Sequence, residues 1–344
     1  MNSSKPLDLS ARNAARARQA VLTKPPGSLG QLEELACRFA AWQGRAQPED
    51  LRPAITVFAA DHGVTVEGVS AFPSAVTTEM VRNFANGGAA ICVLARALDA
   101  RLEVVDVGVA GDVSALPIVH AKVRPGSHNL ARQAAMSAEE TEAALEAGRA
   151  AARRAVEAGA NLLVAGDMGI GNTTASAALI CRLTGAAPEL VVGRGTGVDD
   201  AGLANKRRAV KTALARVAWE NLSGLDTLSE LGGLEIAAIA GFYLEGARLG
   251  VPSLVDGFIA SAAALCAKTI DPSLHDWLLA SHRSAESGHE LALTALQLHP
   301  LVDLGMRLGE GSGAAVCVPL LQLAVKLHNG MATFDEAGVS GKSA

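Results

Sequence analysis

Short, largely apolar runs alternate along this chain with Ala-rich segments whose apolar positions recur at helical spacing. The runs are Ile55–Ala60, Leu102–Val107, Leu162–Ala165, Leu190–Val192, Ser253–Val255 and Leu278–Ala280, each followed by glycine or a polar turn. Strands of this kind, apolar on both faces and separated by helices, predict a parallel sheet covered on both sides. Helix boundaries are signalled by caps. Ser137-x-x-Glu140 is a capping box that opens a helix to about Glu157, with Gly159 following. Ser10 is read as the cap of an N-terminal helix that stops before Pro25-Pro26. Ser312–Leu327 is read as the last core helix, and Pro319 is expected to kink it or mark its start. Residues 1–50 and 305–344 flank the alternation and are read as one small helical domain, with 51–304 as a large α/β domain.

Composition narrows the functional classes. Of 344 residues, 49% are hydrophobic and 19% charged, which permits a large buried core and excludes a disordered chain. The formal net charge of −5, with only short basic clusters at Arg153-Arg154 and Lys206-Arg207-Arg208, argues against nucleic-acid binding. No apolar run reaches the ~20 residues that span a bilayer, and the polar, Arg-rich start carries no secretory signal. A soluble, cytoplasmic protein is expected. The five cysteines show no C-x-x-C spacing and lie among apolar neighbours, which fits buried free thiols better than disulfides or zinc.

Ligands of parallel α/β sheets bind beyond the carboxyl ends of the strands, so the loops there carry the candidate chemistry. Gly166-Asp167-Met168-Gly169-Ile170-Gly171-Asn172-Thr173-Thr174 joins a strand to an Ala-rich helix. Its glycines, hydroxyls and helix N-terminus suit a phosphate, and the missing Walker lysine points to a monophosphate. The other reading is a tight turn capped by Asn172 or Thr173. Asp61-His62 is either an acid/base pair or an Asp that orients a turn beside a His bonded to backbone. Gly193-Arg194-Gly195-Thr196-Gly197 is half of a dinucleotide fingerprint, with Lys206 downstream within reach of a phosphate or carboxylate. Ser281-His282-Arg283-Ser284-Ala285-Glu286 contains triad residue types but no nucleophile elbow, and suits anion binding equally well. In Arg307-Leu308-Gly309-Glu310-Gly311-Ser312-Gly313-Ala314-Ala315 a carboxylate sits between glycines before an apolar helix. Apolar surroundings raise a carboxyl pKa towards the range a general base needs, while the alternative is a helix-capping glutamate.

Taken together and in order, these loops resemble one family, the nicotinate-nucleotide–dimethylbenzimidazole phosphoribosyltransferases of cobalamin lower-ligand synthesis. The matching residues are Lys24-Pro25-Pro26-Gly27-Ser28-Leu29-Gly30, Ala60-Asp61-His62-Gly63, Asn86-Gly87-Gly88-Ala89-Ala90, Gly166 to Thr174, Gly193 to Asp199, Val255-Asp256-Gly257-Phe258, Ser281 to Gly288 and Arg307 to Ala315. The resemblance implies a Rossmann-like parallel sheet flanked by helices, a small helical domain built from both termini, and a homodimer with sites near its interface. It implies Glu310 as general base and Asp167 as a second catalytic carboxylate, where the family usually has glutamate. It places Gly169, Gly171, Asn172, Thr173, Thr174, Gly195, Lys206, Asp256, Ser284, Gly309 and Gly311 around the nucleotide and its phosphate. Phe72, Met80 and Leu308 fall at the walls of the acceptor-base pocket, and variation there leaves the base open.

The chemistry so implied is transfer of phosphoribose from nicotinate mononucleotide to a benzimidazole-type base. The donor's nicotinate leaves as a neutral ring, so no pyrophosphate needs neutralising, and neither a catalytic metal nor a cofactor is expected. The rival readings are transfer to a purine or phenolic acceptor, a non-catalytic nucleotide-binding module, and a Rossmann oxidoreductase.

Overall fold

The computed structural model describes residues 3–195, 197–217 and 222–340. Helices α1 (Leu9–Val21) and α2 (Gln31–Gln43) precede β1 (Pro53–Ala60). A 3-10 turn at Gly63–Glu67, α3 (Ala75–Ala85) and α4 (Ala90–Ala97) lead to β2 (Arg101–Gly108) and the two-residue β3 (Val119–His120). Helix α5 (Ala138–Glu157) returns the chain to β4 (Leu162–Met168). Five helices follow: α6 (Asn172–Thr184), α7 (Pro188–Val191), α8 (Asp200–Arg216), α9 (Gly224–Leu231) and α10 (Leu234–Leu249). Then come β5 (Ser253–Val255), α11 (Phe258–Ile270) and β6 (Leu278–Ala280). The chain closes with α12 (His289–Leu296), α13 (Ser312–Gly330) and α14 (Phe334–Ala337).

The six strands form one sheet in the order β3-β2-β1-β4-β5-β6, and every pairing is parallel. This is the α/β sheet flanked by helices that the alternation predicted. Every residue of β1 is buried, as expected of a strand covered on both faces. Helix α10 crosses β1, β2 and β4 and carries α5 against it. Glycines permit that close approach. A Cβ on Gly148 would lie 1.8 Å from Ala238 O, and one on Gly241 would lie 2.0 Å from Leu145 O. The strand order reverses direction between β1 and β4, which puts the ligand-binding crevice beyond their carboxyl ends.

The structure departs from the expected local detail at four points. Leu190–Val192 is not a strand: residues Pro188–Val191 form a helical turn, with Pro188 pre-set for its first position and Glu189 in that turn. The N-terminal helix is capped by Asp8, whose side chain accepts from Ala11 N, and not by Ser10. The short β3 was not anticipated, since two residues carry no periodicity. Helix α13 runs from Ser312 to Gly330 with Pro319 inside it, so Pro319 does not mark its start. The Ser137–Glu140 capping box is present as read. All five cysteines are buried and free.

Candidate active site

Three consecutive residues ahead of α13 adopt left-handed backbone: Gly309 (φ 89°), Glu310 (φ 62°) and Gly311 (φ 84°). Glycine does this freely, but a glutamate there is strained and must be held. The turn is pressed against the end of β4. A Cβ on Gly166 would lie 2.2 Å from Glu310 O, so only glycine fits. Glu310 N also donates to Asp167 O at 3.3 Å. The Glu310 side chain is 5% exposed, and its Oε2 accepts from Ile91 N at 3.2 Å in the first turn of α4. Burial raises its pKa, and the Ile91 N–H opposes that shift without cancelling it.

Asp167, on β4 beside this turn, is also buried. Its Oδ2 accepts from Asn172 Nδ2 at 2.9 Å. Burial pushes its pKa well above the ordinary aspartate value, and the negative charges of Asp256, Glu235 and Glu310 add to the shift. The Asn172 amide is thereby committed to Asp167. Its backbone opens α6, whose cap is Gly171 (φ 99°), so neither Asn172 nor Thr173 is the N-cap. Gly169 is sterically required: a Cβ would meet Ala60 O at 2.5 Å. Ile170 N, between the two glycines, donates to Thr77 Oγ1 at 3.1 Å.

A cation approaches the start of α6 from another element. Lys206 on α8 is 1% exposed, and its Nζ donates to Thr173 Oγ1 at 2.9 Å. Burial lowers its pKa to about 8, with Glu286 acting the other way. Gly195 (φ 54°) completes this corner, since a Cβ there would lie 2.8 Å from Lys206 Nζ. Arg307 Nη1 donates to Gly195 O at 2.8 Å and ties this loop to the Glu310 segment. Thr174 is fully buried, and its hydroxyl finds no protein partner among the described residues. Thr196 lies outside the described residues.

The remaining candidates separate. Asp256 follows β5 with its carboxylate turned to the α13 backbone, accepting from Ala314 N at 2.8 Å. Burial raises its pKa to about 7 against the pull of those N–H groups. Ser284 is buried, and its N–H donates to His289 Nδ1 at 2.8 Å. Burial lowers the His289 pKa to about 3, so this ring is a neutral structural acceptor. Ser281 is fully buried and donates its hydroxyl to Val255 O at 2.7 Å, which removes it as a nucleophile. Phe72 and Leu308 are 48% and 59% exposed, whereas Met80 on α3 is partly buried against the core.

Asp61 and His62 follow β1 but are not one acid/base pair. Asp61 Oδ2 accepts from Ala110 N at 2.8 Å, which does orient a turn. His62 is not bonded to backbone through its ring: its Nε2 lies 2.5 Å from Glu235 Oε1, with both side chains wholly buried. The imidazole lies against Gly233 and beside Gly169, and the His62 Cβ lies beside Gly171, under the turn that opens α6. Sequence reading missed Glu235, Ile91 and Thr77, and gave Arg307 no role of its own within the Glu310 motif. The available signal for Glu235 was a carboxylate in an otherwise apolar helix after Gly232-Gly233.

A sheet with this switch point, a glycine-rich helix start with a buried lysine, and a strained buried glutamate define an α/β enzyme that handles a small phosphorylated ligand. A family model described as phosphoribosyltransferase matches residues 4–339. The nicotinate-nucleotide–dimethylbenzimidazole phosphoribosyltransferase of Pseudomonas aeruginosa is 54% identical over 338 residues, covering 98% of this chain and 96% of that protein. The protein of the same name from Xanthomonas euvesicatoria pv. vesicatoria is 54% identical over 97% of this chain and 96% of its own length. The crystal structure of the Thermus thermophilus protein, of the same name, superposes with a TM-score of 0.93 at 53% identity, covering 97% of this chain and all of that one. The chain belongs to the family of nicotinate-nucleotide–dimethylbenzimidazole phosphoribosyltransferases, which are pentosyl-transferring enzymes.

Proposed function

We propose that this chain moves the 5-phosphoribosyl group of nicotinate mononucleotide to 5,6-dimethylbenzimidazole or a related base. The products are α-ribazole 5′-phosphate and nicotinate, with inversion at the anomeric carbon. The observation that carries this reading is Glu310, a buried carboxylate of raised pKa held in a strained turn beside a helix start suited to phosphate. One nitrogen of the acceptor attacks the anomeric carbon as the bond to the pyridinium nitrogen breaks. Glu310 takes the proton from the other nitrogen, a contribution of typically 10²- to 10⁴-fold. The phosphate is assigned to the Gly169–Thr173 turn with Lys206, where N–H groups, a hydroxyl and a cation converge. Gly309 and Gly311 serve by shaping the Glu310 turn. Asp167, beside it, faces the developing positive charge, which draws it towards its ionised form. Phe72, Met80 and Leu308 are the proposed acceptor walls, and the exposure of Phe72 and Leu308 fits a wall completed by a second copy.

We also assign a homodimer at work in the cytoplasm, and a helical unit of 1–50 with 305–344 against 51–304. Release of nicotinate from nicotinate mononucleotide, dependent on added base, tests the reaction. Comparing dimethylbenzimidazole with purine and phenolic acceptors tests the acceptor class. Glu310→Gln should lower kcat by about 10²- to 10⁴-fold; turnover within a few-fold of wild type would remove Glu310 as the base. Exhaustive chelation should leave the rate unchanged, and a loss restored by a divalent cation would show that the reaction needs a metal. Sedimentation at assay concentration should give twice the chain mass.

A further inference from the structure

We propose that Asp256 is a positioning residue that holds Glu310 in its working geometry, and that it does not contact the donor. The inference rests on the reading of Glu310 as general base. Helix α13 starts immediately after the left-handed run Gly309-Glu310-Gly311, and its cap residue Gly311 offers no side chain. The first N–H groups of a helix are unsatisfied and attract an anion. Here the anion comes from within the chain. Asp256 arrives from the end of β5, 58 residues earlier than its partner, and accepts from Ala314 N at 2.8 Å. The N–H groups of Gly311 and Gly313 also favour its charged form.

The carboxylate therefore occupies the place that a substrate phosphate would take at α13, and at 2% exposure it is closed off from solvent. It leaves the start of α6 as the phosphate's helix terminus. The same cap fixes the backbone that carries Glu310. On one side the turn abuts Gly166, where a Cβ would lie 2.2 Å from Glu310 O. On the other side α13 abuts the His282 ring, where a Cβ on Gly313 would lie 2.1 Å away. With both flanks closed, the hydrogen bond that Asp256 accepts from Ala314 N fixes the first turn of α13, and with it the backbone that carries a glutamate at φ 62°.

The test is steady-state kinetics of Asp256→Asn, Glu310→Gln and the double variant, with nicotinate mononucleotide varied at saturating base. Asp256→Asn keeps shape and removes charge. It should lower kcat by about ten- to hundredfold, as displacement of a catalytic group does, and leave the donor KM within about threefold. In the double variant, loss of Asp256 should cost nothing beyond Glu310→Gln, because a residue acting through Glu310 has nothing left to position. A donor KM raised about tenfold at unchanged kcat would make Asp256 a donor contact and overturn the proposal. Multiplicative losses would overturn it too, as would wild-type kinetics. Wild-type turnover by Glu310→Gln would instead remove the general-base reading, and this proposal with it. If Asp256→Asn does not fold, Asp256→Glu keeps the charge but moves the carboxylate, and the same kcat-only loss is expected.

Discussion

Lys206 shows how much a single buried residue depends on its surroundings. From sequence it was one member of a basic triplet on a helix, with a glycine-rich loop nearby. In the fold it is the residue of that triplet that turns inward, to the Thr173 hydroxyl, and burial brings its pKa to about 8. A cation that serves the donor phosphate should then fail as pH rises through about 8. The donor KM should climb on the alkaline side in the wild type, while kcat changes less. Lys206→Arg should carry that rise out of the measurable range, since a guanidinium stays charged. A donor KM flat to pH 10 in the wild type would separate Lys206 from the phosphate. Glu310 was legible in sequence because glycines on both sides of a carboxylate are unusual. Its partner Ile91 was not, because the contact is one backbone N–H from 219 residues away. His62 and Glu235 were hidden for the same reason, being 173 residues apart.

At the scale of elements, periodicity and caps did well where they had length to work with. Five of the six anticipated strands formed, and the Ser137–Glu140 box opened a 20-residue helix. The failure at Leu190–Val192 is one of length: three apolar residues fit a single helical turn as well as a strand, and Pro188 decided for the helix. What no pattern could show is how closely elements meet. Gly166 looked like one more glycine of a phosphate loop, but it is the contact surface between β4 and the Glu310 turn. Gly166→Ala places a methyl 2.2 Å from a backbone oxygen, with no flexible side chain to yield. Overpacking of this kind costs about 1–3 kcal/mol. The variant should lose several degrees of Tm and most of its turnover together, while Gly159→Ala, at a helix end away from the site with open space for the methyl, should lose only the strain of its φ of 92° and keep its turnover. A Gly166→Ala enzyme of wild-type kcat would mean that the Glu310 turn can shift without consequence.

Across the whole molecule, the end of the sheet gathers like charges that oppose its stability. Asp167 lies on β4 and Glu235 on α10, Asp256 follows β5 and Glu310 precedes α13, and the charges of Asp256, Glu235 and Glu310 act on Asp167 through the protein interior. None of them is next to another in sequence, so the concentration of carboxyls beyond β1, β4 and β5 is a product of topology. The consequence is a definite pH dependence. Asp167 has its folded pKa raised well above the unfolded value, so the folded chain binds its proton more tightly than the unfolded chain does. Stability from this group is present at low pH, and is lost as pH rises from the ordinary aspartate range through the raised value. Asp256 adds a loss of the same sign up to about 7. Asp167→Asn keeps the acceptor for Asn172 and removes the ionisation. Its Tm should be close to that of the wild type near pH ~4 and exceed it increasingly towards pH ~8. Turnover should fall over the same range, because a neutral amide cannot favour the cationic transition state. Such a variant would be more stable and less active, as expected when a site holds charge that the fold alone would not choose. A Tm difference that stays constant with pH would show Asp167 to be ionised in the folded protein, and would make it a resident anion at the anomeric centre before any substrate arrives.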